Sequence, residues 1–114
     1  MSSDLLQKQI CDKYFTGYIP SPDNFKIGIS KSALDGIQPL NGLRYEITSD
    51  TTGWYIWGGV YFDSPDFFMP MHVIHLSQQC PLIMKFLGLP PGYRFLIDDK
   101  GYEDVWFDES LLTQ

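Results

Sequence analysis

"GWYIWGG", residues 53–59, is the stretch on which the fold turns. Its apolar residues fall on both sides of an extended chain, because successive side chains of a strand point to opposite faces. Apolar bulk on both sides needs cover on both sides, so this strand is expected near the middle of a sheet. Two further strands precede it. "FKIGIS" (25–30) alternates Phe25, Ile27 and Ile29 against Lys26, Gly28 and Ser30, the period-two pattern of a half-buried strand. "GLRYEITS" (42–49) sets Leu43, Tyr45 and Ile47 against Arg44, Glu46 and Thr48, so the first three are expected to face the core and Arg44 to point away. The intervening "KSALDGIQPLN" reads as a short helical turn and a loop.

Further out, Ser3 or Asp4 is placed to cap a helix carrying Leu5, Leu6, Ile10 and Tyr14 at helical spacing and ending before Gly17. "GYIPSPDN" (17–24) is a loop, since Pro20, Pro22 and Asn24 favour turns. In "YFDSPDFFMPMH" (61–72) Pro65 and Pro70 argue against a regular ladder or a helix, so an aromatic loop is expected. "VIHLSQQCPLIMKFLGL" (73–89) reads as helix in two pieces, broken at Pro81, with Gly88 as its stop. "PPGYRFLIDDKGYEDVWF" (90–107) is a hairpin turning at Asp98 to Gly101. The expected fold class is α+β: a mainly antiparallel sheet of about four to six strands with helices packed on one face, in one domain spanning residues 1–114.

Composition narrows the function. The chain has 114 residues, a net charge of −6 and 16% aromatic residues. Lys and Arg are few and scattered, which opposes binding to a phosphate backbone or an anionic membrane. No apolar run reaches the roughly 20 residues a membrane-spanning helix needs, and the amphipathic N-terminus lacks the apolar region of a signal peptide. A cytoplasmic location is expected. Cys11 and Cys80 are too few for a disulfide framework and read as buried small hydrophobes.

Catalytic signatures are sparse. His72 and His75 have i, i+3 spacing, and Asp63, Asp66 and Cys80 could complete a coordination shell, but no Glu stands between the histidines at HExxH spacing. The acid pairs 98/99, 103/104 and 108/109 are expected to point to opposite faces and into solvent, as adjacent acids in a hairpin usually do. Neither a GxSxG elbow nor a glycine-rich phosphate cradle occurs. No cofactor is implied. What remains is an inventory suited to binding: Trp54, Trp57, Tyr61, Tyr102 and Trp106 are residue types that anchor protein interfaces, and acids between 98 and 109 surround the last two with negative charge.

Read in order, "GWYIWGG", "SPDFFMPMHVIHL", "CPLIMKFLGLPPGYRFLI" and "YEDVWFDESLL" resemble the immunity protein thirty-three-like family of bacterial polymorphic-toxin systems over about residues 53–112. Val60 departs from it, standing where the family pattern has an acid. The resemblance implies a small cytoplasmic protein that binds and neutralises a cognate toxin, with no catalytic residue to carry over. A basic nuclease fits as the target, because a surface shaped for phosphate complements carboxylates. The expected partner-binding residues are Tyr102, Glu103, Asp104, Trp106, Asp108 and Glu109, with Asp63, Asp66 and Phe67 in the neighbouring loop. The alternative reading is a small metal- or ligand-binding domain built on His72, His75, Asp63 and Asp66.

Overall fold

The computed structural model describes residues 3–112. Six strands form one sheet: β1 (Lys26–Ser30), β2 (Leu40–Arg44), β3 (Thr51–Gly58), β4 (Phe68–His72), β5 (Tyr93–Ile97) and β6 (Glu103–Phe107). Their spatial order is β4-β1-β3-β2-β5-β6. Only β1 and β3 pair in parallel; the other neighbours are antiparallel. The GWYIWGG strand lies third from one edge, as its two apolar sides require, and the fold is the α+β arrangement expected. Helices α1 (Ser3–Lys13), α2 (Lys31–Leu34) and α3 (Leu76–Gln79) are joined by 3-10 turns at Val73–His75, Pro81–Phe86 and Glu109–Leu112.

The core lies on one face of the sheet. Ile10 and Cys11 of α1, Ala33 of α2 and Leu76 of α3 pack with Ile83, Phe86, Leu87 and Leu89 onto Ile27, Ile29, Leu40, Trp54, Ile56, Phe95 and Ile97. Both cysteines are buried free thiols.

Four elements depart from the sequence reading. The alternation of β2 is reversed: Leu40, Gly42 and Arg44 are buried, whereas Leu43 and Tyr45 face the other way. Two causes act together. Gly42 lies beneath the ring of Phe95, where a methyl group would stand 2.2 Å from it, so the core side of β2 must be bare there. Arg44, 0% exposed, donates from Nε to the Thr52 carbonyl (2.8 Å) and from Nη1 to the carbonyls of Ile19 and Leu89 (2.8 Å each). Nη2 donates to the Pro20 carbonyl at 3.3 Å. The loops at 17–24 and 87–92 turn the Ile19, Pro20 and Leu89 oxygens inward beside that of Thr52 in β3, and buried carbonyls need donors; a guanidinium carries five N–H groups. Burial lowers the Arg44 pKa to about 10, so at neutral pH the core holds a charge.

The second departure is that residues 68–72 form a strand despite Pro70. Val73 N–H donates to the Phe25 carbonyl, which makes 25/73, and hence 27/71 and 29/69, the hydrogen-bonded pairs of this ladder. Pro70, opposite Gly28, therefore directs its missing N–H outward, the position at which an edge strand tolerates proline. Third, α1 buries Gln7, Ile10 and Cys11, while Leu5 is exposed and Ser3 and Asp4 both lie inside the first turn. The helix closes at Phe15, which has φ +58°. Fourth, the region 73–89 is mostly 3-10 helix with one α-helical turn, broken at Cys80 before Pro81.

Candidate functional site

The face of the sheet opposite the core carries an array of aromatic rings. Period-two alternation places Tyr55 and Trp57 of β3, Leu43 of β2, Arg94 and Leu96 of β5, and Asp104 and Trp106 of β6 there. Tyr55 packs edge to face on Tyr45 (ring centroids 5.7 Å apart) and on Phe68 (5.1 Å). Trp57 is 8% exposed yet stands apart from the main core cluster. It is covered by Tyr61 at 5.6 Å and Phe68 at 6.2 Å. Phe67 joins Phe68 (4.9 Å), Tyr61 (5.3 Å) and Phe62 (6.1 Å). Such edge-to-face contacts hold the rings against one another as one continuous aromatic surface.

The local sequence explains how the rings come together. Gly28 leaves room for Tyr55 to lie across β1, since a methyl group there would stand 2.7 Å from the Tyr55 ring. Pro65 and the Phe67 N–H to Ser64 carbonyl bond (3.0 Å) turn residues 61–67 back over Trp57. Two shallow troughs result. One, of about 560 Å³, runs past Lys26, Gly28, Tyr45, Glu46, Tyr55, Phe68 and Leu112. The other, of about 570 Å³, is lined by Leu43, Tyr45, Tyr55, Trp57, Tyr61, Phe68 and Arg94. They share Tyr45, Tyr55 and Phe68, so these rings form the ridge between them.

Charge enters from the β5–β6 side. Arg94 lies over the Trp106 ring, 5.5 Å from its centroid, and its Nη1 donates to Asp108 at 3.1 Å. Asp108 also accepts from the Ser110 hydroxyl and backbone N–H. The hydrogen bonds from Ser110 and Arg94 hold its carboxyl below the ordinary range.

The residues singled out from sequence divide. Asp104 and Trp106 share the open face with Arg94, and Phe67 reaches it through the ring cluster. Asp63 and Asp66 are exposed in the loop that carries those rings. Tyr102 is exposed in the hairpin turn, its N–H donated to Asp98. Glu109 is exposed where the C-terminal 3-10 turn begins. Glu103 faces the helices: it accepts from Lys13 Nζ at 2.7 Å, from the Tyr14 hydroxyl at 2.5 Å, and pairs with Lys85 at 3.5 Å. Burial alone would raise the Glu103 pKa, but these hydrogen bonds and charges outweigh it and hold the value below the ordinary one.

Tyr45, Tyr55, Phe68 and Arg94 belong to this face and were not singled out. Alternation anchored on Leu43 in place of Arg44 points Leu43 and Tyr45 inward. Arginine is rarely read as a core residue, and Gly42 was the signal that could have corrected the register.

His72 and His75 are exposed, with ring centroids 6.4 Å apart. No group of three or more His, Cys, Asp or Glu arranged to hold a metal ion occurs among the described residues. No helix among them is long and apolar enough to cross a membrane.

Fold and face together define a small α+β protein whose most developed feature is a continuous aromatic surface with charged groups along one side. The chain belongs to the Imm33-like domain family, which it matches over residues 6–108. The N-terminal half, outside the resemblance seen in the sequence, is thus part of the same family domain. Membership in an immunity-protein family implies a toxin partner and points to a non-enzymatic role. No curated protein and no solved structure matches the chain.

Proposed function

We propose that this chain is an immunity protein that binds one cognate bacterial toxin through the open face of its sheet and neutralises it by occlusion. The observation that carries the reading is the ring array from Tyr45 through Tyr55 and Phe68 to Tyr61 and Phe67, packed ring on ring on a face that no α-helix among the described residues covers and that the C-terminal 3-10 turn reaches only at its Tyr45 end. Contiguous exposed apolar surface of this kind marks interaction sites, and Tyr and Trp supply much of the binding energy where they occur at interfaces. Asp63, Asp66 and Asp104 border it, and Glu46 lines one trough.

A net charge of −6 accelerates encounter with a basic partner. The toxin is accordingly a basic protein, and a nuclease is the activity class that best fits. The whole chain acts as one binding domain in the cytoplasm, without cofactor, and without nucleic acid or membrane as a partner. Of the residues first singled out, Trp106, Asp104, Phe67, Asp63 and Asp66 lie at this interface. Tyr102, Asp108 and Glu109 flank it, and Glu103 holds the hairpin to α1.

The test is capture of the toxin from the producing bacterium with the tagged chain in high salt, then titration of the purified toxin domain against variants. Tyr55→Ala and Tyr61→Ala should each weaken binding by roughly 10- to 1000-fold, as at interface hot spots. Leu5→Ala, on the far side of the molecule, should leave affinity unchanged. Retention of full affinity by both tyrosine variants would place the toxin elsewhere, and failure to capture any toxin-bearing partner would sink the immunity reading.

A further inference from the structure

The two edges of the sheet are unlike. On β4 the central outward position is Pro70, which has no N–H to offer. On β6 nothing comparable intervenes. Asp98 N–H donates to the Tyr102 carbonyl and Asp108 N–H to the Gly92 carbonyl, so the even-numbered residues of β6 bond to β5. The N–H and C=O groups of Glu103, Val105 and Phe107 therefore point away from the sheet, a three-residue template for a further strand.

The charges on this strand select what can pair with it. Of its carboxylates, Glu103 is already neutralised by Lys13 and Lys85, which weakens its pull on a foreign basic strand. Asp104 is the β6 carboxylate without an ion pair among the described residues, and a second copy of the same strand brings beside it the Arg94 guanidinium that lies over Trp106 and is shared with Asp108. An antiparallel register centred on Val105 uses all three outward residues: Glu103 opposite Phe107, and Val105 opposite itself. It also sets Asp104 of each copy against Trp106 of the other, the ring over which Arg94 lies. Centring on Asp104 would instead oppose two like charges and leave Phe107 unpaired; centring on Trp106 would leave Glu103 unpaired.

We propose that two copies of this chain pair through β6, antiparallel and centred on Val105, joining their six-stranded sheets edge to edge. The two-fold axis runs perpendicular to the sheet, so both sets of helices lie on one side and both open faces on the other. Pairing leaves the rings of Tyr45, Tyr55, Tyr61, Phe67 and Phe68 free and draws only Asp104 and Trp106 of the toxin-facing residues into the seam, and it stands or falls independently of the toxin assignment.

The experiment is sedimentation equilibrium of the full chain in 0.15 M salt from about 1 µM to about 1 mM, with amide hydrogen exchange at both ends of the series. The expected mass rises from the chain's 13.1 kDa towards twice that value, and the amides of Glu103, Val105 and Phe107 become protected only at high concentration. Val105→Pro removes one outward N–H without touching the β5 ladder and should leave a folded monomer. Should that variant fail to fold, Asp104→Lys, which sets an ammonium against the Arg94 guanidinium over Trp106 of the other copy, should weaken pairing at least tenfold. A monomer at every concentration, or a dimer with unchanged exchange at 103, 105 and 107, would overturn the proposal. So would protection of this edge only on adding the captured toxin, because its occupant would then be a toxin strand.

Discussion

Arg44 Nη1 stands 2.8 Å from the carbonyl oxygen of Leu89, at the centre of the core and with no carboxylate bonded to it among the described residues. Its charge is solvated by backbone oxygens of Ile19, Pro20, Thr52 and Leu89 in place of water. Arg44→Met should lower unfolding free energy by roughly 3 to 5 kcal/mol, because several buried carbonyls lose their donors at once. Arg44→Lys should recover little of that, since one ammonium cannot span the same oxygens. Urea denaturation measures both; a loss below about 1 kcal/mol would show that water replaces the guanidinium.

Gly42→Ala tests why β2 turns its arginine inward. Phe95 stacks on Phe86 at 4.9 Å and tilts against Trp54 at 5.5 Å, so its ring has no space into which to retreat from a new methyl. Overpacking of this kind costs about 1 to 3 kcal/mol, and thermal denaturation should report it. Gly28→Ala also meets a ring, but that of the more exposed Tyr55. If the proposed docking at this face is right, its cost should fall mainly on toxin affinity.

Phe15 closes α1 with its N–H on the Asp12 carbonyl and the Thr16 N–H on that of Cys11, an arrangement that favours glycine at the left-handed position. Its side chain is 97% exposed and offsets little of the backbone strain. Phe15→Gly should therefore stabilise the protein by roughly 0.5 to 1 kcal/mol, read as a rise in melting temperature. A fall would mean the ring makes contacts that outweigh the strain.

Stability should drop in acid. Glu103, Asp98 and Asp108 all have folded-state values below their ordinary ones. Their ionised forms stabilise the fold above the ordinary carboxylate range, and that contribution is lost as pH falls through the lowered values. Glu103→Gln should reduce stability at neutral pH and flatten the decline between about pH 5 and pH 2. Urea midpoints across that range give the answer; an unchanged slope would assign the acid sensitivity to the other two.

The central strand, the hairpin at 93–107, the helix break at Pro81 and the buried cysteines were readable because each rests on local chemistry. Alternation, proline and turn residues act within a few positions. The inward Arg44 has partners 8 to 45 residues away that no local pattern announces, and the nearby sign of the register is the bare Gly42, whose reason, the Phe95 ring, is itself distant in sequence. That reversal hid Leu43 and Tyr45, and with them the middle of the aromatic face. Residues 102–109 stood out by composition, but alternation divides them: Asp104 and Trp106 go to the open face while Glu103 turns to the helices.

Pro70 bears on what happens at high concentration. A sheet with two receptive edges can add copies without limit and grow into a fibre, whereas one closed by proline at one side has a single place to extend. Under the proposed pairing through β6, the opposite edge lacks its central outward N–H at Pro70, so a third copy would meet an edge missing that bond, and the pair is favoured over a growing fibre.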